Sequence, residues 1–219
     1  MSETFFCPSM MCADFTKLPE EIKELEDANI DIFHMDIMDG VFVPNFALGT
    51  EDFKAIRANT DKLMDVHLMI SNPSQYINLF SDLGADIIYI HPETDSHPIS
   101  TVNKIKANGK KAGIAINPET SIETVKELFN VIDYLLVMTV SPGFAGQSYL
   151  DFVTDKIKEA VRYTNQHEFK IVVDGAISSK KIEELSKIGV TGFVLGTSAL
   201  FNKEASYKDT MNFIKKKSL

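Results

Sequence analysis

Short apolar runs alternate with amphipathic stretches along the whole chain. The runs at 5–10, 32–38, 63–69, 86–91, 112–116, 134–140, 170–173 and 192–195 read as eight strands. Most are near-continuous in hydrophobicity, as parallel strands covered on both faces are. Between them, "PEEIKELEDA" (Pro19–Ala28), "NPSQYINLFSDLG" (Asn72–Gly84) and "SKKIEELSKIG" (Ser179–Gly189) space their apolar residues three and four apart. That spacing predicts helices with one buried face, and a last helix is expected over Tyr207–Lys217. Gly84, Gly109 and Gly189 each stand between a helix and the next strand, where a left-handed residue ends a helix. "LGADIIYI" and "IGVTGFVL" thus look like one joint used twice. No Pro/Gly/Ser-rich linker breaks the alternation. The pattern predicts an α/β protein, a single (β/α)8 TIM barrel over residues 1–219. An open doubly wound sheet is the runner-up, but its GxGxxG turn is absent after the first strand.

Composition narrows the partners. The 219 residues carry a net charge of −9, which argues against a nucleic-acid backbone as ligand. The one basic cluster, Lys215 to Lys217, fits a solvated helix end. No run of about 18 apolar residues exists, and the N-terminus lacks the pattern of a secretory signal, so no membrane partner is expected. Cys7 and Cys12 are too few for a disulfide scaffold and read as reduced thiols of a cytoplasmic protein. Acidity does not exclude a phosphorylated ligand, because backbone N–H groups bind phosphate without lysine or arginine.

A parallel barrel places its chemistry at the C-terminal ends of the strands. Those ends here carry Ser9; His34, Asp36 and Asp39; His67; His91 and Glu93; Asn117; Asp174; and Gly196, Thr197 and Ser198. His34 and Asp36 are two apart, so they share one face of a strand. Alone, His34 reads as a hydrogen-bonded core histidine. Joined by His67 and Asp174 from other strands, it makes a four-donor set for a divalent ion such as Zn²⁺, Fe²⁺, Mn²⁺ or Co²⁺. Such an ion would compensate for burying those charges. "HPE" at His91–Glu93 is expected only to shape its loop, and Asp39, before Gly40, to serve a turn. "SPGFAGQS" (Ser141–Ser148), "DGA" and "GTS" follow strands six, seven and eight, the last just before an expected short helix. Their free N–H groups suit a phosphate. Met10, Met38, Met69 and Met138 sit at strand ends, as core packing and as a compatible apolar pocket lining.

"CPSMMCADF", "HMDIMDGVFVPN", "DVHLMI", "VMTVSPGFAGQSY", "VVDGAI" and "VLGTSALF" together resemble the ribulose-phosphate 3-epimerase family, in family order over about Phe5 to Asn202. The resemblance implies metal ligands His34, Asp36, His67 and Asp174, with Asp36 and Asp174 as the two acid–base groups. It assigns Ser9 and His67 to the substrate. To the phosphate end it assigns Gly143, Phe144, Ala145 and Gly146, then Gly175 and Ala176, then Gly196 and Thr197. It further implies one divalent metal ion, Mg²⁺ included among the candidates, a phosphorylated ketose substrate, and a homo-oligomer (dimer or hexamer). "HPET", "NPET", "PGFAGQ" and "GTSALFN", with Ala145 and Ala176 where glycines are more usual, are similar to the D-allulose-6-phosphate branch. The D-ribulose 5-phosphate reaction is the alternative.

The implied chemistry moves a proton at C3 of a 2-ketose phosphate. Two carboxylates on opposite sides reach both faces of a planar enediolate, which one base does not. Other barrel chemistries fit less well. A Schiff-base aldolase needs a lysine at a strand end, and none stands there. The related decarboxylases carry Asp-x-Lys-x-x-Asp, and "DVHLMI" has no such lysine. A non-enzymatic sugar-phosphate sensor would be expected to lose a base, yet both aspartates are present.

Overall fold

The computed structural model describes residues 4–201 and 203–218. Eight parallel strands run β1 (Phe5–Pro8), β2 (Ile32–Met38), β3 (Leu63–Met69), β4 (Ile87–Ile90), β5 (Lys111–Ile116), β6 (Tyr134–Met138), β7 (Lys170–Asp174) and β8 (Gly192–Leu195). They are ordered β1-β8-β7-β6-β5-β4-β3-β2. The ring closes between β1 and β2 through a parallel bridge from Ser9 to His34, so the sheet is a nearly closed barrel. Among the described residues seven α-helices surround it: α1 (Leu18–Asp27), α2 (Thr50–Arg57), α3 (Ile77–Asp82), α4 (Pro98–Ala107), α5 (Val153–Tyr163), α6 (Ser179–Ile188) and α7 (Tyr207–Lys217). None of them is long and apolar enough to cross a membrane.

The joint seen twice in the sequence is used four times. Asp31, Asp86, Asp133 and Thr191 each stand one residue before an even-numbered strand. Asp86 donates its N–H to Met64 O (2.8 Å) and accepts from Met64 N–H through its own carboxylate (2.9 Å). Asp133 does the same with Ala112 (2.7 and 2.9 Å), and Asp31 with Phe6 (3.0 and 2.8 Å). Thr191 donates N–H and hydroxyl to Ile171 O (3.1 and 3.2 Å) and accepts from Phe5 N–H (2.9 Å). The three aspartate side chains therefore supply the hydrogen bond that a short strand leaves unmade at its N-terminal edge, whereas at Thr191 the hydroxyl adds a second bond to a carbonyl already held by the backbone.

Local chemistry sets the helices. In α1 proline opens the first turn, Glu20 and Glu21 lie near its positive end, and Leu18, Ile22 and Leu25 face inward. Ser178 caps α6 by accepting from Lys181 N–H, and Gly189, at φ +117°, ends it. Ser206 caps α7 in the same way through Asp209 N–H. The unit between β5 and β6 departs from the expected helix: 122–124 and 126–130 are 3-10 turns. Ile122, Val125, Leu128 and Phe129 are its buried residues, and the first three, spaced by three, align on one face at three residues per turn. The expected helix over Asn72–Gly84 is likewise split, into a 3-10 turn at Pro73–Gln75 and α3. The short helix expected after β8 is a turn instead, closed by Leu200 N–H on Gly196 O (3.0 Å).

The core has two layers. A sleeve between strands and helices includes Phe33, Phe53, Phe80, Phe193 and Ile157. A second cluster, with Phe5, Cys7, Ile32, Tyr89, Leu136, Val172 and Val194, fills the barrel. Gly113 makes room there: a Cβ on it would lie 2.3 Å from the Tyr89 ring. The filled interior closes the barrel as a channel and leaves one open end for chemistry.

Candidate active site

On β2 the alternation of a strand sends His34 and Asp36 inward, and Phe33, Met35 and Ile37 outward into the sleeve. On β3 the same rule turns Asp65 and His67 inward. Asp174 ends β7, and Met138 on β6 is its register partner. Four donor atoms, one each from His34, Asp36, His67 and Asp174, lie within 4.8 Å of one another. His34 Nε2 is 3.2 Å from Asp36 Oδ1 and 3.9 Å from Asp174 Oδ2. His67 Nδ1 is 3.5 Å from Asp36 Oδ1 and 3.7 Å from Asp174 Oδ2.

These residues fit a metal ion. Both inward nitrogens are buried and have no hydrogen-bond partner. Bonds of about 2.1 Å to a tetrahedral ion give edges of about 3.4 Å between ligands, close to the spacings seen. Two imidazoles and two carboxylates are also a donor chemistry that holds first-row dications.

The electrostatics are lopsided. Burial works to raise Asp36, but His34 and then His67 outweigh it and hold the carboxyl far below its usual range. Burial pushes Asp174 up, to about 7, and the charge of Asp36 adds to the shift. Burial opposes charge on His34, yet Asp65 and Asp36 hold it well above its ordinary value. Burial pushes His67 down, with the neighbouring His34 adding to that. Asp36 thus stays ionised near neutral pH, whereas Asp174 passes between its two forms there, and an acid–base pair needs two carboxyls that differ in this way.

Above this group opens a cleft. Ser9, Asp36, Gly143, Phe144, Ala145, Gly146, Asp174, Gly175, Ala176, Gly196 and Thr197, all expected site residues, line it together. Met38, Met69 and Met138 line it too, whereas Met10 is packed into the outer sleeve. His34 and His67 are fully buried and lie outside the wall of the cleft. Among the described residues no lysine or arginine lines the cleft, whose polar wall is made of the glycine-rich loops with Gln147, Thr197 and Ser198. Gly175 (φ +107°) and Ala176 (φ +52°) turn the chain left-handed after β7. Gln147 Nε2 ties the β6 loop together through Ser141 O (2.6 Å) and Phe144 O (2.9 Å). Asn45 Nδ2, from the β2 loop, donates to Gly143 O at 2.6 Å.

Asp39 serves its turn as expected, accepting from Val41, Phe42 and Ser71 N–H. Cys12 also lines the cleft, and burial followed by the charge of Asp36 pushes its thiol up to about 11, so it stays neutral. Two residues escaped the sequence reading. Asp65 lies 2.6 Å from His34 Nδ1, and the signal for it was its place two residues before His67 on the same strand. His91, set aside as part of a loop, is fully buried with Nε2 2.8 Å from His67 Nε2. Glu93 does shape the loop, because its Oε1 accepts from Asn117 N–H (2.9 Å) and Thr120 Oγ1 (2.5 Å).

A barrel of this kind, with two carboxylates and two histidines gathered beneath its cleft, is laid out as an enzyme. The comparisons with known proteins agree. Residues 6–201 match the ribulose-phosphate 3 epimerase family. The ribulose-phosphate 3-epimerase of Bacillus subtilis (strain 168) is 40% identical over 194 residues, covering 87% of this chain and 89% of that protein. The Synechocystis enzyme of the same name is 40% identical over 199 residues (89% and 86% covered). The chloroplastic ribulose-5-phosphate-3-epimerase of Arabidopsis thaliana is 36% identical over 218 residues (98% and 77%). The chain belongs to the ribulose-phosphate 3-epimerase family and is an isomerase acting on a sugar phosphate at C3. Among solved structures, the fold is shared with 3-hexulose-6-phosphate synthase from Salmonella typhimurium (TM-score 0.68, 18% identity, 98% of each chain). It is shared also with 3-keto-L-gulonate-6-phosphate decarboxylase from Vibrio cholerae (TM-score 0.68, 11% identity, 100% and 98% covered).

Proposed function

We propose that the protein interconverts D-ribulose 5-phosphate and its C3 epimer D-xylulose 5-phosphate by metal-dependent two-base proton transfer. The observation that carries this reading is the gathering of Asp36 and Asp174, from β2 and β7, with two histidines within 4.8 Å. The relatives' shared substrate supports the five-carbon sugar.

Asp36, ionised, takes the C3 proton from one face. Asp174, protonated, returns one from the other, and the roles exchange in the reverse direction. Ser9 Oγ donates to Asp36 Oδ2 (2.6 Å) and fixes the angle of that carboxylate. His34, His67, Asp36 and Asp174 would hold a divalent ion, which when bound supplies Lewis-acid stabilisation of the negative charge that develops beside C3. Backbone N–H groups at Gly143–Gly146, Gly175–Ala176 and Gly196–Thr197 hold the phosphate end. Met38, Met69 and Met138 keep water from the planar intermediate.

D-Allulose 6-phosphate is the second reading, and Ala145 and Ala176 favour it, since both line the cleft. "HPET" and "NPET" lend it little: Glu93 binds Asn117 and Thr120, so the two motifs read one another. The longer sugar places one more CHOH between C3 and phosphate, and a misfit of about 1 Å costs roughly 100-fold in rate. Metal-replete protein assayed side by side on the two sugars decides the matter. A higher kcat/KM on ribulose 5-phosphate is expected, and a clear preference for allulose 6-phosphate would reverse the assignment. Solvent deuterium appearing at C3 is expected with the preferred sugar.

A further inference from the structure

Behind each inward histidine stands a group with no role so far. Asp65 is fully buried on β3, directly across the ladder from His34 on β2, and its Oδ1 is 2.6 Å from His34 Nδ1. His91 follows β4, and its ring stacks on that of His67 with centroids 5.0 Å apart and planes 21° apart. Their Nε2 atoms are 2.8 Å apart, and His91 Nδ1 is 3.4 Å from Glu93 Oε2.

A neutral imidazole carries one proton on two nitrogens, and only the bare nitrogen coordinates a metal. His34 turns Nε2 to the four-donor group, so its proton belongs on Nδ1, against Asp65. His67 turns Nδ1 to the group, so its proton belongs on Nε2, against His91. His91 Nε2 must then be bare, which places the His91 proton on Nδ1, facing Glu93. The other oxygen of Glu93 is held by Asn117 N–H and Thr120 Oγ1, so β5 and its loop anchor this chain of contacts. The two histidines present opposite ring nitrogens inward, and each line of contacts ends on a carboxylate.

We propose that Asp65 and the His91–Glu93 pair are positioning residues, which hold the inward nitrogens of His34 and His67 bare and aimed for a divalent metal ion. The inference rests on the metal reading proposed above. Outer partners of this kind set the tautomer and ring angle of ligating histidines, and their loss costs about 10- to 100-fold in metal affinity.

The test is Zn²⁺ affinity, read by titration against a competing chelator, with far-UV circular dichroism as the check on folding. Asp65→Asn and Glu93→Gln should each weaken Zn²⁺ by about 10- to 100-fold. Asp65→Asn should add no loss in a His34→Ala background but its full loss in a His67→Ala background. Glu93→Gln should show the reverse pairing. A merely structural role would lower affinity equally in both backgrounds, and that result overturns the proposal, as does wild-type affinity in either single variant. Should Asp65→Asn fail to fold, Glu93→Gln decides, since its partners lie on a loop and it keeps an acceptor oxygen for them. A wild-type protein that binds no Zn²⁺, Mn²⁺ or Co²⁺ would overturn the metal reading itself. Normal wild-type binding with unaffected variants would overturn this inference alone.

Discussion

Ser9 holds one oxygen of the Asp36 carboxylate and leaves the other to the two histidines. Ser9 Oγ donates to Oδ2 at 2.6 Å, and Oδ1 is left facing His34 Nε2 at 3.2 Å and His67 Nδ1 at 3.5 Å. A hydrogen bond to a charged group contributes about 1.5–3 kcal/mol. Ser9→Ala should therefore lower kcat by about 10- to 100-fold, with a smaller change in KM. Steady-state kinetics check this, and a rise in KM alone would place Ser9 on the substrate instead.

Asp36→Asn and Asp174→Asn should each abolish turnover while leaving the fold intact. Each removes one of the two proposed bases and one carboxylate from the four-donor group. Circular dichroism and the epimerase assay, run on the same samples, separate the two effects. Near wild-type turnover in either variant would end the two-base assignment.

Chelation should inactivate the protein, and added divalent metal should restore it. Protons compete with metal at the donors. Burial, with the charge of Asp36 beside it, pushes Asp174 up to about 7, and Asp65 and Asp36 hold His34 raised, so both keep protons at pH values where model groups have begun to release them. Affinity should thus climb as pH rises through about 7, and fall below it. Asp36, held low, stays ionised over that range and contributes no slope there. The metal-free fold has the opposite sign. Asp174 has a raised folded pKa, so its contribution to stability is full below the unfolded value of 3.8 and is lost as pH rises through about 7. Thermal melts with and without Zn²⁺ should diverge as pH rises across this interval.

His34→Ala should cost more metal affinity than His91→Ala. The first removes a donor nitrogen, and the second removes only the partner of His67. Equal losses in a chelator titration would mean that His91 itself ligates.

Gly175→Ala should destabilise the protein by about 1–3 kcal/mol, because overpacking and strain act together. Its φ is +107°, and a Cβ would meet Val140 Cγ2 at 2.5 Å. Ala176→Gly, at φ +52°, relieves a left-handed alanine, and should change stability by less than about 1 kcal/mol. Paired melting curves check the contrast.

The barrel was legible because period and polarity agree. β2, β3 and β8 end where the apolar runs end, and the four expected donors come together, Asp174 at the end of β7 and the other three inside β2 and β3. β1 ended at Pro8 rather than at residue 10, because after Ser9, which still bonds Leu195 O and bridges His34, Met10–Cys12 turns away as a 3-10 helix. The stretch 122–130 carried apolar residues that suit either kind of helix, and its three-residue spacing settled the tighter one. Asp65 and His91 were harder to find, because what matters is contact behind the histidines, across strands, and strand spacing shows only which face a residue takes. "HPET" looked like a mark of substrate, but its glutamate binds the neighbouring loop.

The joints at Asp31, Asp86, Asp133 and Thr191 divide the ring into four quarters, each a pair of strands stitched at its lower rim. These stitches lie at the end of the strands away from the cleft, so the parts that fasten the ring and the parts that react are kept on opposite rims. Each quarter carries its own fastening, while side-chain contacts such as Asp65 to His34 and Glu93 to Asn117 and Thr120 join neighbouring quarters toward the cleft. A chain re-cut between quarters, with its old ends joined, keeps every stitch within one segment. Such a circular permutant should still close the ring, because no quarter depends on where the chain happens to begin.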